Sequence, residues 1–170
     1  MKIGFIGGTF DPIHNGHIDI AKQAYIELGL DKVLFIPTGN SYFKTDVTEA
    51  IDRYNMTVAA VSNLLWASVE DCELKRLGNT YTADTVKYLK DTYSNYELYL
   101  IIGSDTLFML EQWHEFEYVL SNVNIVVCCR NNSDNGEHTL KQYSGLSKSF
   151  YSIDEYIDYI KKNIWRRYIN

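Results

Sequence analysis

Near its start the chain reads Lys2-Ile3-Gly4-Phe5-Ile6-Gly7-Gly8-Thr9-Phe10-Asp11-Pro12-Ile13-His14-Asn15-Gly16-His17. The residues up to Gly7 form a short apolar run, which is typical of a buried strand. From Asn15 onward, apolar residues recur at helical spacing as far as Leu28, and Gly29 then supplies a stop signal. This segment therefore predicts a strand, a tight glycine turn and a helix in direct succession.

The same alternation continues along the chain. Strands that alternate with helices of this length imply right-handed crossovers and a parallel sheet covered on both faces. We predict an α/β fold, a single Rossmann-like doubly wound parallel sheet with helices on both faces, as one domain over residues 1–170. The further strands are expected at Lys32–Pro37, Ala67–Asp71, Glu97–Ile102 and Asn124–Cys129, and the further helices from a Thr48 cap to about Leu65, from a Thr82 cap to Tyr93, and over Ile153–Ile164.

Composition narrows the class of protein. The chain has 170 residues, of which 46% are hydrophobic, and a net charge of −6. No apolar run reaches the roughly 20 residues that a membrane span needs, and the first residues lack a signal-peptide pattern, so we expect a cytoplasmic protein that contacts no membrane. The negative charge argues against nucleic-acid binding, which needs a basic face. A homo-oligomer is compatible with the sequence.

The turn after the first predicted strand has the properties of a phosphate site. In doubly wound sheets, ligands bind at the carboxyl ends of the strands where the connection direction switches. The glycines allow a close backbone approach, the N–H groups around Gly8–Phe10 can cradle phosphate oxygens, and the helix from Asn15 adds its positive dipole end. The spacing differs from the dinucleotide fingerprint and from the P-loop, which need other glycine and lysine positions.

His14 and His17 stand three positions apart where the chain enters that helix. Two imidazoles at this spacing can donate hydrogen bonds to the oxygens of one phosphate. A zinc site is the alternative, but His114 and His138 are the remaining histidines and neither has a partner motif. The three cysteines are an odd number without metal-like spacing. We therefore predict His14 and His17 as catalytic residues and no metal held by the protein itself.

Segment Gly7–His17 resembles the nucleotide-binding signature of the HxGH nucleotidylyltransferase superfamily. The string Gly-Gly-Thr-Phe-Asp-Pro-Ile-His is similar to that of bacterial nicotinate-nucleotide adenylyltransferases, which make deamido-NAD from nicotinate mononucleotide and ATP. Further matches follow in the same order to about residue 130: Pro37-Thr38-Gly39-Asn40 with Lys44, Arg53 with Met56, Glu73, Arg76, Gly78, Tyr81, Thr82, Asp84, Thr85, Gly103-Ser104-Asp105, Trp113 and Arg130. The family's Ile-Ser-Ser-Thr-x-x-Arg motif has no clear equivalent here, Leu146–Ser149 being its nearest echo.

The resemblance implies a set of ligands and residue roles. ATP and nicotinate mononucleotide would be the substrates, and Mg²⁺ would arrive with ATP. The 5′-phosphate of the mononucleotide is already an anion, so no general base is required, and catalysis consists of positioning and charge stabilisation. Residues implied to bind ATP and its phosphates are Gly8, Thr9, Phe10, Gly103, Asp105 and Arg130; those implied to bind the mononucleotide are Asn40, Lys44, Thr82, Thr85, Trp113 and His114.

Taken without the resemblance, several of these residues have a second interpretation. Asp105 can cap a helix and Trp113 can pack in the core. The basic residues in the matched segments can face phosphates, lie on a solvated surface, or form ion pairs such as Glu73 with Arg76. Two other functions also stay open: a sister transferase with another phosphorylated acceptor, such as phosphopantetheine, and a weakened relative that binds nucleotide without catalysis.

Overall fold

The computed structural model describes residues 1–40, 45–103, 106, 109–130 and 138–143. Within these ranges, only the backbone is described for residues 111, 129, 130 and 138–143. The predicted helix Ile153–Ile164 and the segment Leu146–Ser149 lie outside the described residues, as do the predicted ligand-binding residues Lys44 and Asp105.

Strands and helices alternate as the sequence predicts. Five strands run parallel in the order β3-β2-β1-β4-β5, which confirms the doubly wound α/β fold. The elements are β1 (Lys2–Gly8), α1 (Asn15–Leu28), β2 (Lys32–Pro37), α2 (Ala50–Val61), β3 (Ala67–Val69), α3 (Thr82–Thr92), β4 (Glu97–Gly103), a 3₁₀ turn (Leu110–Gln112), α4 (Phe116–Asn122), β5 (Asn124–Arg130) and β6 (His138–Tyr143).

Three elements were not predicted: the 3₁₀ turn Leu110–Gln112, strand β6 and helix α4. Strand β6 pairs antiparallel with β5 at the edge of the sheet, so the sheet is parallel in five of its six strands. The run His138–Tyr143 carries polar residues between its apolar ones, and such an edge strand gives a weaker apolar signal than a strand buried on both faces. Helix α4 has seven residues, which is too short for a clear helical periodicity.

The helices cover both faces of the sheet. Helices α1 and α2 pack on one face and α3 and α4 on the other. Because successive strand residues point to opposite faces, each face has its own core. None of the described helices is long and apolar enough to cross a membrane. One core contains Phe10, Ala21, Ala24, Val33, Phe35, Val61, Ile101 and Val126; the other contains Phe5, Leu34, Ile36, Val86, Leu89, Leu100, Val119 and Ile125.

Strand β1 occupies the position at which the strand order reverses. It pairs with β2 on one side and β4 on the other, and the chain leaves β1 toward α1 but leaves β4 toward the opposite face. The loops after β1, β2 and β4 all start at the carboxyl edge of the sheet. In a doubly wound sheet this switch point is where ligands bind.

Two helix starts differ from the predicted caps. We expected Thr48 to cap α2, but the helix begins at Ala50 with Glu49 at the cap position. The N–H of Thr48 donates instead to the Asp11 carboxylate at 2.8 Å, so a contact between loops determines its place. Tyr81 takes the cap position of α3, and Thr82 is the first helical residue.

A buried cation, Arg53 on α2, connects three loops at the carboxyl edge. Its side chain is 1% exposed. The guanidinium donates to the carbonyls of Thr9 at 2.7 Å, Thr48 at 2.8 Å and Gly39 at 3.0 Å. Burial lowers the pKa of Arg53 from its ordinary value, and the negative charge of Asp11 acts in the opposite direction. The group stays charged, since arginine is not deprotonated in proteins.

A buried carboxylate, Glu73, lies between β3 and α3. It is 8% exposed, and its Oε1 accepts a hydrogen bond from the Thr85 hydroxyl at 2.7 Å. Burial raises the pKa of Glu73 above its ordinary value. Hydrogen bonds from Thr85, Thr80 and the Gly39 N–H, together with the charge of Arg76, favour the ionised form and offset part of this effect.

The stop of α1 yields a first prediction. Gly29 has φ 59° and ψ 46°, and a Cβ there would contact nothing within 4 Å, so a substitution acts through the backbone alone. Gly29→Ala should lower the free energy of unfolding by about 1–2 kcal/mol, and Gly29→Asn should cost less because asparagine tolerates this conformation. Urea unfolding measures both variants. Equal stability of the alanine variant and the unmodified chain would contradict the left-handed assignment.

Glu73 yields a prediction about pH. A carboxyl whose pKa is higher in the folded than in the unfolded state contributes stability that is lost as pH rises through the folded pKa. Relative to Glu73→Gln, the unmodified chain should therefore lose free energy of unfolding as pH rises above about 4.5. The difference between the two should then level off. Urea titrations at a series of pH values measure it. A difference independent of pH, or one that shifts the other way, would show that burial does not dominate.

Candidate functional site

The rings of His14 and His17 lie together at the start of α1. Their centroids are 3.8 Å apart and the planes meet at 27°, so the two imidazoles are stacked, whereas the spacing predicted only that they lie on one side of the turn. His14 is exposed and His17 is half-buried. His14 also occupies the cap position of α1, which places both rings beside the positive end of the helix dipole.

A backbone contact fixes the orientation of the His17 ring. The N–H of His14 donates to His17 Nδ1 at 3.3 Å. A ring nitrogen that accepts a hydrogen bond carries no proton, so in the neutral imidazole the proton resides on Nε2. The edge of the buried Phe10 ring contacts His17 at a centroid distance of 5.0 Å. The Nε2–H group of His17 is therefore the one that can donate to a ligand.

The first carbonyl groups of the turn after β1 are hydrogen-bonded to other segments of the protein. The carbonyl of Gly8 accepts from the Thr38 N–H at 2.9 Å, and the carbonyl of Thr9 accepts from Arg53. In a trans peptide the carbonyl and the following N–H point in opposite directions. The N–H groups of Thr9 and Phe10 therefore point away from those internal partners, as a phosphate cradle requires.

Two glycines of this segment lie close to neighbouring rings. A Cβ at Gly8 would lie 2.8 Å from the Phe10 ring. The backbone of Phe10 has a φ of 49°. A Cβ at Gly16 would lie 3.0 Å from His14 Cε1 and 3.1 Å from its Nδ1. Gly16 therefore leaves room for the His14 ring over the first turn of α1. The buried Phe10 side chain packs inside, so only its backbone can serve a ligand.

Asn40 lies in the loop after β2 and is tied to the segment that leads into α3. Its side-chain amide donates to the Gly78 carbonyl at 3.2 Å, and its own carbonyl accepts from the Thr80 hydroxyl at 3.3 Å. An isolated parallel bridge joins Asn40 to Asn79. The sequence places these segments almost forty residues apart, and the structure brings them together at the carboxyl edge.

The two threonines predicted to bind the mononucleotide differ in their surroundings. Thr82 is half-buried at the first position of α3. Thr85 is 2% exposed, and its hydroxyl donates to Glu73 and lies 3.3 Å from Arg76 Nη1. With its hydroxyl engaged inside, Thr85 is placed to orient the start of α3 rather than to present a side chain to a ligand.

The segment after β4 brings Trp113 and His114 next to α3. Trp113 is half-buried and packs against the core beneath α3 and α4. The exposed His114 ring lies over Tyr81 at a centroid distance of 4.4 Å. Glu115 lies 3.4 Å from His114 Nε2 and accepts from Lys87 on α3 at 2.6 Å. These contacts join the predicted aromatic residues to the start of α3.

Two further predicted ATP-binding residues, Gly103 and Arg130, are described by the structure, and both lie at the carboxyl edge of the sheet. Gly103 ends β4, half-buried, in register with Cys128 of the neighbouring strand. Arg130 ends β5. Because β4 lies beside β1, the end of β4 at Gly103 is next to the turn that begins at Gly8.

Arg53 is the residue whose surroundings the sequence analysis missed. Phosphate binding, surface exposure or an ion pair was expected for the basic residues, but the guanidinium of Arg53 is buried and donates to three internal carbonyls. A signal was present: Arg53, Thr57 and Val61 follow one another at four-residue spacing, and all three are buried on one side of α2. Glu73 gave no such signal, because its partners are distant in sequence.

The structure also bears on the reactivity of Cys72 and on metal binding. Burial raises the pKa of the Cys72 thiol to about 12, so this thiol is not a nucleophile at neutral pH. Within the described ranges, no group of three or more His, Cys, Asp or Glu side chains is arranged to hold a metal ion.

Comparison with known proteins identifies the family of this chain. The family model described as cytidylyltransferase-like matches residues 5–165. A probable nicotinate-nucleotide adenylyltransferase of Clostridium novyi is 42% identical over 88% of this chain and 75% of its own length. The corresponding protein of Dehalococcoides mccartyi is 44% identical over 76% of this chain and 65% of its own length.

Solved structures share the fold. Nicotinic acid mononucleotide adenylyltransferase of Plasmodium falciparum, in complex with NaAD, aligns with a TM-score of 0.68 at 23% identity over 77% of this chain and 65% of that one. A putative enzyme of the same activity from Vibrio parahaemolyticus aligns with a TM-score of 0.64 at 19% identity, over 76% and 74% of the two chains. At these identities the likeness concerns the fold alone. By its sequence matches, the chain belongs to the cytidylyltransferase-like family and, within it, to the nicotinate-nucleotide adenylyltransferases.

Proposed function

We propose that this chain transfers the adenylyl group of ATP to nicotinate mononucleotide, with His14, His17 and the turn Gly8–Phe10 acting on the phosphates. One observation carries the assignment of residues. Two stacked imidazoles stand at the start of α1, next to a turn in which the N–H groups of Thr9 and Phe10 point away from the internal partners of the preceding carbonyls. Donors that converge in this way suit a polyanion.

The reaction exchanges one P–O bond for another. A 5′-phosphate oxygen of nicotinate mononucleotide attacks the α-phosphorus of ATP in line. The bond from that phosphorus to the oxygen bridging the α- and β-phosphates breaks, and pyrophosphate leaves with the electron pair. The products are deamido-NAD and pyrophosphate. Since the nucleophile is already an anion, the protein has to align the two phosphates and stabilise the charge that develops on the leaving group.

The histidines supply that stabilisation in this proposal. The Nε2–H of His17, oriented by the contact at Nδ1, donates to an ATP phosphate oxygen, and the exposed ring of His14 donates to a second one. The N–H groups of Thr9 and Phe10 hold the reacting phosphates. Gly103, Asp105 and Arg130 hold the adenylyl part in this proposal. Strand β4, which ends at Gly103, lies beside β1, and β5, which ends at Arg130, lies beside β4.

The acceptor lies between the loop after β2 and the start of α3. Trp113 and His114 with Tyr81 provide flat rings that can stack on a pyridine ring. Thr82 offers the N-terminal end of α3 to the ring's carboxylate, with Thr85 holding that end in place. Asn40 and Lys44 are the residues proposed to bind the ribose phosphate. These roles are supported by the closeness of the segments at one edge.

Mg²⁺ bound to the triphosphate would supply charge neutralisation at the leaving group. Such an ion keeps most of its ligands as water and phosphate oxygens, which suits a site where the described residues include no acidic cluster. The cytoplasm is the proposed location, and a single chain holds every residue that the proposal uses.

Replacing either histidine tests the catalytic assignment. His14→Ala and His17→Ala should each lower kcat by about 100-fold or more, because each removes a donor to the developing charge. Urea unfolding should show a fold that is still intact, since neither ring is part of the buried core. The kinetics are followed as pyrophosphate release. Turnover close to that of the unmodified enzyme in either variant would remove the mechanism.

The acceptor is tested by direct comparison. Pyrophosphate release from ATP is measured with nicotinate mononucleotide, nicotinamide mononucleotide and phosphopantetheine in parallel. Nicotinate mononucleotide should give the highest kcat/KM. A higher value with phosphopantetheine would assign the chain to a sister transferase, and no release with any acceptor would identify a relative that binds nucleotide without catalysis.

Gly16 separates activity from stability. Gly16→Ala should keep or raise the free energy of unfolding, because alanine is favoured over glycine within a helix by about 1 kcal/mol. The new methyl group displaces the His14 ring by a few tenths of an ångström, so kcat should fall by roughly tenfold. Urea unfolding and steady-state kinetics on one preparation measure both. A loss of activity that parallels a loss of stability would contradict this interpretation.

A further inference from the structure

Two buried side chains of opposite charge meet at a single residue, Gly39, in the loop after β2. We propose that Arg53 and Glu73 are a pair of positioning residues, which bind the carbonyl and the N–H of Gly39 and thereby hold the loops after β1 and β2 at one separation. The inference rests on the proposed function, since these two loops would carry the ATP phosphates and the mononucleotide.

Arg53 provides the connection to the phosphate turn. Its Nη1 donates to the Thr9 carbonyl and its Nη2 donates to the Gly39 carbonyl. One rigid, planar group thus binds both loops, and the distance between the two carbonyls is fixed by the guanidinium itself. Because the Thr9 carbonyl is held inward, the N–H of Phe10 is held outward. The cradle depends on this bond.

Glu73 provides the connection on the other side of Gly39. The N–H of Gly39 donates to the Glu73 carboxylate, and a Cβ at Gly39 would overlap the Glu73 carbonyl oxygen. The Gly39 side of the loop therefore lies in direct contact with the backbone at Glu73. Through Thr85, the same carboxylate also holds the first turn of α3. Glu73 thus sets the loop against the helix that would bind the pyridine ring.

The contacts at Gly39 depend on the shape and the donors or acceptors of these two side chains. Arginine has donors in a flat fork that can reach three carbonyls at once, whereas the ammonium of lysine is a compact point charge. Glutamine keeps the shape of Glu73 but replaces one acceptor oxygen with a donor. Arg53→Lys and Glu73→Gln are therefore conservative substitutions that weaken the contacts at Gly39 and keep the core filled.

The kinetic test uses both variants and their combination. Each should lower kcat by about tenfold, while KM for ATP and for nicotinate mononucleotide changes by less than about threefold, because the loops still bind but no longer align the reacting phosphates. The double variant should lose little more than the worse single one, since either loss frees the same loop. Unchanged kcat, or two losses that multiply, would overturn the proposal.

Thr57→Val is the matched control. Thr57 is buried on α2 and its hydroxyl donates to the Arg53 backbone carbonyl at 2.8 Å, so the variant disturbs the same helix and leaves the guanidinium contacts intact. It should lower the free energy of unfolding with kcat unchanged. A tenfold loss of kcat in this control would show that general loosening of α2 is sufficient, and the positioning role would be withdrawn.

Amide hydrogen exchange tests the pair without relying on turnover. In Glu73→Gln, exchange should rise about tenfold in residues 37–40 and also in residues 8–12, which Glu73 does not reach directly; Arg53→Lys should give the same pattern and Thr57→Val should not. Exchange that rises only in residues 37–40 would overturn the proposal. If the unmodified chain fails to turn over, the proposed function fails, and the exchange measurement still decides the positioning role.

Discussion

The site depends on where the carbonyl groups after β1 find their partners. The carbonyls of Gly8 and Thr9 are bound inside the protein, one by the Thr38 N–H and one by a buried guanidinium. Buried backbone groups must be paired, so this arrangement satisfies the fold. The same planar peptides then turn the next two N–H groups away from these two partners. A requirement of the folded interior thus produces the group of donors that a phosphate needs.

This arrangement explains how an acidic chain can serve an anionic ligand. The net charge is −6. Arg53 lies on a segment that matches the family, but its side chain is buried and binds internal carbonyls. Attraction at the proposed phosphate site then comes from short-range sources: backbone N–H groups, the end of the α1 dipole and two imidazoles. Such donors act within a few ångströms and are held rigidly, so the overall charge of the molecule has little bearing on them.

Sequence reasoning works best where one residue type has one physical use. Apolar runs between turn residues located β1, β2, β4 and β5 to within one or two residues, and a left-handed Gly29 ended α1 where predicted. The three-residue spacing of His14 and His17 predicted that they lie on one side of the turn, and the stacking of their rings is seen only in the structure. The internal use of Arg53 could not be derived, because its three acceptors are backbone carbonyls, which every residue possesses. Strand β6 has the same difficulty, since an edge strand is determined by a neighbour distant in sequence.

The location of unfavourable backbone angles identifies the functional edge by an independent route. Phe10, Asp46 and Glu115 are the non-glycine residues with positive φ in the described ranges. They lie in the segments after β1, β2 and β4, all of which leave the carboxyl edge. At the opposite edge, the left-handed position between α1 and β2 is filled by Gly29, which adopts it without strain. A non-glycine residue in this region costs about 1–2 kcal/mol, and such costs persist mainly at functional sites. The strain therefore lies where the imidazoles, the cradle and the two buried charges also lie.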